Sequence, residues 1–498
     1  MEPCELTALE ARRLIGAKKL SPVELLDSCL RRIALVNHAV NAVVAMDEEG
    51  ARRDAKAAED AVMRGDRLGA LHGLPIGIKD LEETKGLVTT HGSPIFKDNV
   101  PTKDLGSVAR LRAAGGIIFA KTNTPEFGAG ANTRNAVYGA TGNPHDPARS
   151  AAGSSGGSGV ALACDMAPIC SGSDTGGSLR NPAAFNGIVG FRPSPGLVAS
   201  ERRLLGWSNL PVLGPMARNT PDVALMLSAM ISDDAHDPLS YTIHGGTGRL
   251  RHGDYHPVPQ VDLASLRVAA TPDFGIAPVE HGVRDTFEGR IAALSPLFGT
   301  VTRDCPDCSG ADEAFEVLRA MNFLAAHREK VEKTPHLVGP NVRANVEEGM
   351  RYTLADGARA SALQTALYLR WQRFFEAGTD LILTPAITIS PRPWSELYPA
   401  EINGQKTRTY FHWLALAYIV TLTGHPAISI PLGRDALGMP FGLQIVGPRG
   451  GDALVLAAAA AIEAAVAGDA ALARPRPDIA ALAKAPPISS MPGFLGFD

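Results

Sequence analysis

Residues 150–159 read SAAGSSGGSG. Gly and Ser are the usual residues of slack linkers. The same run holds Gly153-Ser154-Ser155-Gly156-Gly157, which fits the G-x-S-x-G nucleophile elbow. A linker should separate independent units, yet GVALACDMAPICSGSDTGG follows at once, apolar and element-like. An elbow needs a strand before it and a helix after it. SGVALAC suits the helix, but ATGNPHDPARSAA carries two prolines and no β-branched run, so no strand is expected there. The elbow also needs a downstream Asp and His, and His412 and His425 stand in no revealing context.

The neighbours give a third reading. Twenty-four residues after Ser154 stands Ser178, in CSGSDTGGSLRNPAAFNGIVGFRPS, and 75 residues before it stands Lys79, in HGLPIGIKD. Lysine, then Gly-Ser-Ser-Gly-Gly, then Asp-Thr-Gly-Gly-Ser, in that order, resembles the amidase signature family. The match is close over about 70–220 and looser at GAKKLSPVELLDSCLRRI, TPAI, TLTGHPAISIPLG and PFGLQIVGP. The resemblance implies a Ser-cisSer-Lys triad, with Ser178 as nucleophile, Ser154 as proton relay after a cis peptide bond, and Lys79 as base. It implies an oxyanion hole from the backbone N–H groups of Thr175, Gly176, Gly177 and Ser178. It also implies an acyl pocket lined by Gly128, Ala129 and Gly130.

The chemistry is consistent with those residue types. Amide cleavage needs a nucleophile, a base that later protonates the amine, and donors for the oxyanion. Glycines let successive N–H groups converge on one point. A lysine can act as base only when neutral, so its pKa of about 10.4 must fall, and burial lowers it. Lys79 ends the apolar run GLPIGI, as a semi-buried strand end would; a surface lysine paired with Asp80 is the plainer alternative. Ser155 is expected to support the triad by hydrogen bonding. Asp174 and Arg180 are expected to pair as buttresses of the oxyanion turn. Lys121, in AKTN, is expected to be structural. The chain departs from the family at Ala152, often Gly, and at Arg192, often Lys.

Composition agrees with an enzyme of this kind. The chain has 498 residues, 45% hydrophobic and 20% charged, with net charge −4, enough apolar material for a large core. No block of like charge points to nucleic acid or a membrane surface. The charged start, MEPCELTALEARRLIGAKKL, is not a secretory signal, and GDALVLAAAAAIEAAVAG reads as a packed helix. A cytoplasmic protein is expected. Six scattered cysteines give no framework, and Cys305-Pro306-Asp307-Cys308 reads as two loop thiols. No metal or cofactor is called for.

The expected fold class is α/β, a single large α/β/α domain over 1–498 with a central mixed, twisted β-sheet covered by helices on both faces. Its parts are a helical N-terminal arm (1–65), a signature core (66–220), the remainder with the pocket wall (221–485) and a tail (486–498). Ser21, Pro22 and Glu24 form a helix start of capping-box type. Thr220 with Pro221 reads as another start, and 235–262 as a surface excursion. The aromatic-rich 394–418 either borders the pocket entrance or fills core. The N-terminal helices are a candidate homodimer face.

A small-molecule amide is the expected partner, with no nucleic acid or membrane. The rival activity within the family is that of the glutamine-hydrolysing component of a glutamyl-tRNA amidotransferase, which frees ammonia for a partner chain. KTNTPEFGAGANTRNAVYGATGNPHDP looks more like the stand-alone amidases. A rival of another class is a non-catalytic anion-binding protein. No G-K-[ST] follows the glycines, so a nucleotide P-loop is not indicated.

Overall fold

The computed structural model describes residues 2–240 and 252–496. Residues 241–251 of the expected surface excursion, and the end of the tail, lie outside the described residues. Eleven strands form one mixed sheet, numbered along the chain: β1 (Val43–Met46), β2 (Pro75–Lys79), β3 (Ile117–Thr122), β4 (Ile169–Asp174), β5 (Val189–Arg192), β6 (Val212–Ala217), β7 (Arg267–Ala270), β8 (Thr300–Thr302), β9 (Leu381–Pro385), β10 (Ala427–Arg434) and β11 (Pro440–Val446). Their order across the sheet is β1-β3-β2-β4-β6-β5-β10-β11-β9-β7-β8. The pairs β2/β3, β2/β4, β7/β8 and β7/β9 are parallel, and the rest are antiparallel.

Side chains of a strand alternate between faces, and here the alternation feeds two separate cores. Ile118, Ile169 and Ala217 join one buried cluster with Val223 and Leu227 of the helix Thr220–Met230. Ile117, Phe119, Cys170 and Met216 join the other with Val160 and Leu162 of the helix Gly156–Ala163. Both faces are thus covered by helices, as apolar non-alternating strands require.

The capping-box helix forms as expected over Pro22–Val40. Ser21 Oγ accepts from the Val23 N–H at 3.0 Å, and Glu24 accepts from the Ser21 N–H at 3.0 Å. Three expectations need correction. The first 65 residues are not all helical, because Val43–Met46 pairs antiparallel with β3 as the edge strand. The cap of the helix Thr220–Met230 is Asn219, whose side chain accepts from the Asp222 N–H at 2.8 Å. A strand does precede the serine loop: Asp146–Ser150 forms a hairpin outside the main sheet, with the Ser150 N–H donating to the Arg392 carbonyl at 2.7 Å.

Candidate active site

Parallel strands end on the same edge, and ligand sites of such sheets lie beyond those carboxyl ends. β2 and β4 are parallel neighbours, with Ile76 opposite Ile169 and Gly77 opposite Cys170. Lys79 ends β2 and Asp174 ends β4, so the lysine and the Thr175–Ser178 turn meet at one edge. The Lys79 backbone N–H donates to Ser171 Oγ at 3.0 Å. Two residues on, the same face of β4 presents Ser173.

Lys79 is 0% exposed. Its Nζ lies 2.7 Å from Ser154 Oγ, 2.9 Å from Ser155 Oγ and 2.9 Å from Ser173 Oγ. Burial pulls its pKa down to about 7, against the raising influence of Glu82 and Asp174. A neutral amine has two protons to donate and one lone pair. The charged amine donates to all three hydroxyls; once neutral, its lone pair can accept from one of them. Ser154 and Ser155 come from the turn that starts the helix Gly156–Ala163, and the Gly153–Ser154 peptide is cis. Gly172 of β4 must lack a Cβ, which would stand 2.9 Å from Ser155 Oγ and 2.7 Å from Leu179 Cδ2.

Ser178 follows at the turn beyond β4. The Ser155 N–H donates to its carbonyl at 3.3 Å, which ties the two serine loops together. Ser178 and Ser154 line one cavity of about 100 Å³. Ser178 Oγ has no hydrogen-bond partner among the described residues, so the lysine-to-Ser154 link is formed and the link to Ser178 is open. Such links often tighten only around substrate.

Of the four expected oxyanion donors, one is already engaged. The Gly177 N–H donates to Asp174 Oδ1 at 2.9 Å, so this donor is already used. No described residue accepts the N–H groups of Thr175, Gly176 or Ser178. Asp174 holds the turn from below. Its carboxylate takes Arg180 Nε at 3.0 Å, Arg180 Nη2 at 2.9 Å and Arg192 Nη1 at 3.2 Å, and all three side chains are fully buried. Burial alone would raise the pKa of Asp174, but the two guanidinium groups and the Gly177 N–H hold it well below the usual carboxylate range.

Asp174→Asn should destabilise the fold by about 3–5 kcal/mol, the cost of leaving buried charges uncompensated. Urea unfolding at neutral pH measures it. Because the folded pKa is depressed, the stabilising contribution is complete above the ordinary Asp value of about 3.9. It is lost as pH falls through the lower folded value.

The expected pocket trio divides. Gly128 and Gly130 line the cavity, and a Cβ on Gly128 would stand 3.3 Å from Ser154 Oγ. Ala129 does not line it; it packs against Val338 and Val342. Of the aromatic-rich stretch, Tyr410 and Phe411 line the cavity, whereas Trp394 packs on Ala140 and Ile488 and Trp413 belongs to the main core. The helix Ala311–Lys333 completes the wall with Phe315, Arg319 and Phe323.

The other sequence expectations resolve on contacts. Lys121 Nζ donates to the Glu82 carbonyl at 2.5 Å and to Thr84 Oγ1 at 2.9 Å, a structural role. His425 packs in the core between Trp371 and Phe375, and neither it nor His412 lines the cavity. Neither of the histidines the elbow reading offered, His412 and His425, is placed to serve Ser155 among the described residues. The cysteines are all unpaired, and burial pushes the thiol pKa of both Cys305 and Cys308 up. Among the described residues no cluster of His, Cys, Asp and Glu could hold a metal ion, and no helix is long and apolar enough to cross a membrane.

A family model described as Amidase matches residues 24–456. The chain belongs to the amidase signature family. It is 33% identical to an acylamidase of Rhodococcus erythropolis, over 92% of this chain and 95% of that one. It is also 33% identical to a glutamyl-tRNA(Gln) amidotransferase chain of Thermus thermophilus, over 93% and 98%. The crystal structure of a bacterial aryl acylamidase of the same family superimposes with a TM-score of 0.85 at 25% identity, covering 92% of this chain and 96% of that one.

Within this amidase, Ser173, Arg192 and Arg319 are polar site residues whose contacts escaped the sequence reading. Ser173 was legible in principle, because Ser171 and Ser173 alternate on one strand face. Arg192 was noticed only as a departure, yet it shares Asp174 with Arg180. Arg319 stands in no motif.

Proposed function

We propose that this amidase hydrolyses linear amides of small molecules through an acyl-enzyme on Ser178. The observation that carries the reading is a wholly buried lysine amine, 2.7 Å from Ser154 Oγ, whose serine shares a cavity with Ser178. Neutral Lys79 takes the Ser154 proton as Ser154 takes that of Ser178. Ser178 Oγ then bonds to the amide carbon. The oxygen becomes an oxyanion facing the open N–H groups of Thr175, Gly176 and Ser178, and each such donor is worth about 2.7–4 kcal/mol of barrier. The proton returns along the same chain to the amine nitrogen as the C–N bond breaks. Water attacks the ester by the reverse route and releases the carboxylate.

Ser155 and Ser173 orient the amine, and Asp174 with Arg180 and Arg192 holds the turn. Gly128 and Gly130 border the acyl site. We take the whole chain as one domain acting in the cytoplasm, with the N-terminal helices as the candidate homodimer face that sedimentation would check. Esters and carbamates are further candidate substrates.

A panel of amides, esters and carbamates run on the purified chain tests the reading. Turnover of simple amides by the chain alone supports the free-standing hydrolase. The glutamyl-tRNA amidotransferase relatives favour a second reading. Ammonia released from glutamine only when a second protein chain is added would establish that one. No turnover together with an unreactive Ser178 would leave the anion-binding alternative.

A further inference from the structure

We propose that Arg319 sets the specificity of this site by binding a carboxylate carried by the part of the substrate that lies in the cavity. The inference rests on the amidase reading above and names its substrate class: monoamides of short dicarboxylic acids.

Phe315, Arg319 and Phe323 recur every fourth residue, so they share one face of the helix Ala311–Lys333. All three line the cavity that holds Ser154 and Ser178. Phe315 marks the near end, since a Cβ on Gly176 of the oxyanion turn would lie 3.1 Å from its ring. Arg319 stands one turn further along, about 6 Å by the rise of a helix.

Arg319 is 6% exposed, and no hydrogen bond or ion pair engages its guanidinium among the described residues; Nη1 is buried without an acceptor. The other buried arginines have acceptors: Arg180 and Arg192 share Asp174, Arg218 is paired with Asp165, Arg32 with Glu5 and Asp165, and Arg134 donates to the carbonyls of Ser395 and Gly493. Around Arg319 stand three rings instead, with centroids 4.6 Å (Phe323), 4.7 Å (Tyr410) and 4.5 Å (Phe411) from its Cζ. Rings hold a cation through their faces but offer its N–H groups no acceptor. The Glu348 carboxylate acts on it at longer range only, and it accepts the Tyr352 hydroxyl at 3.0 Å.

A buried guanidinium with idle donors in a reaction cavity needs an acceptor from the ligand. Its planar fork matches a carboxylate with two parallel hydrogen bonds. The aromatic wall keeps water from competing. With about one helical turn between the oxyanion turn and Arg319, and about 100 Å³ of space, the bridging chain is short, on the scale of succinyl or glutaryl.

The test compares kcat/KM for the anilides of glutaric acid (one free carboxylate) and of butyric acid, on wild type and on Arg319→Met. Wild type should favour the glutaryl anilide by at least about tenfold, and the variant should lose that preference. Equal or better turnover of the butyryl anilide by wild type, or a preference that survives in the variant, overturns the proposal. Should the variant fail to fold, wild type alone decides. Glutarate should slow fluorophosphonate labelling of Ser178 and glutaramide should not; equal effects overturn the proposal and leave the amidase reading standing. A protein that hydrolyses neither anilide and whose Ser178 takes no label overturns the amidase reading, and this proposal with it.

Discussion

Ser178→Ala should lower kcat/KM for any accepted amide by about 10⁴- to 10⁶-fold, the scale seen when a serine nucleophile is removed from a cooperating catalytic group. The loss is that large because the remaining parts cannot substitute. Ser154 sits against Lys79, 2.7 Å away, and Ser155 has its oxygen on the same amine at 2.9 Å. The Ser178 hydroxyl has no partner among the described residues and stands in the turn whose open N–H groups would take the oxyanion. Binding and oxyanion stabilisation survive in the variant, so it should still bind substrate with KM little changed. Ser155→Ala should cost far less, because Ser154 and Ser173 still hold the amine. Steady-state kinetics on both variants decides this. An active Ser178→Ala beside an inactive Ser155→Ala would restore the elbow assignment.

Lys79→Ala should cost about 10²- to 10⁴-fold, the usual contribution of a positioned general base. The pH dependence of the wild type carries more information. Burial lowers the Lys79 pKa to about 7, so the amine is half neutral near that pH. The base form is the neutral one. The rate kcat/KM should therefore be level above about pH 8 and fall below about pH 7, approaching tenfold per pH unit. Among the described residues no histidine lines the cavity to give the same limb. A flat wild-type profile from pH 5 to 9, with a fully active Lys79→Ala, would take the lysine out of the mechanism.

What the sequence disclosed was mostly local. Ser21, Pro22 and Glu24 announce a helix start because all their partners lie within one turn. The lysine and the two glycine-rich serine loops were legible because their spacing and order are distinctive. Their meeting depended on sheet order. β2 and β4 are 90 residues apart yet adjacent in space, and nothing in either strand states that alone. Val43–Met46 was missed because four apolar residues between two helices look like helix until a β3 edge is available to pair with.

At the site, Gly177 and Ala129 show the limit of carrying a motif over residue by residue. The Gly177 N–H turns inward to Asp174, and the Ala129 methyl packs on Val338 and Val342. Either outcome depends on a backbone direction that a letter does not encode. Arg319 was invisible for another reason. In FEVLRAMNF it reads as an ordinary helical arginine, and what makes it unusual is a buried guanidinium with no hydrogen-bond or ion-pair partner among the described residues.

The central claim is that the hydroxyl at 178 is the one activated by the buried amine. Peptide mapping by mass spectrometry after fluorophosphonate treatment of the folded protein tests it most directly. The account predicts a single adduct on Ser178, formed faster as pH rises through about 7. An adduct on Ser155, or none on a protein that still turns over amides, would contradict it.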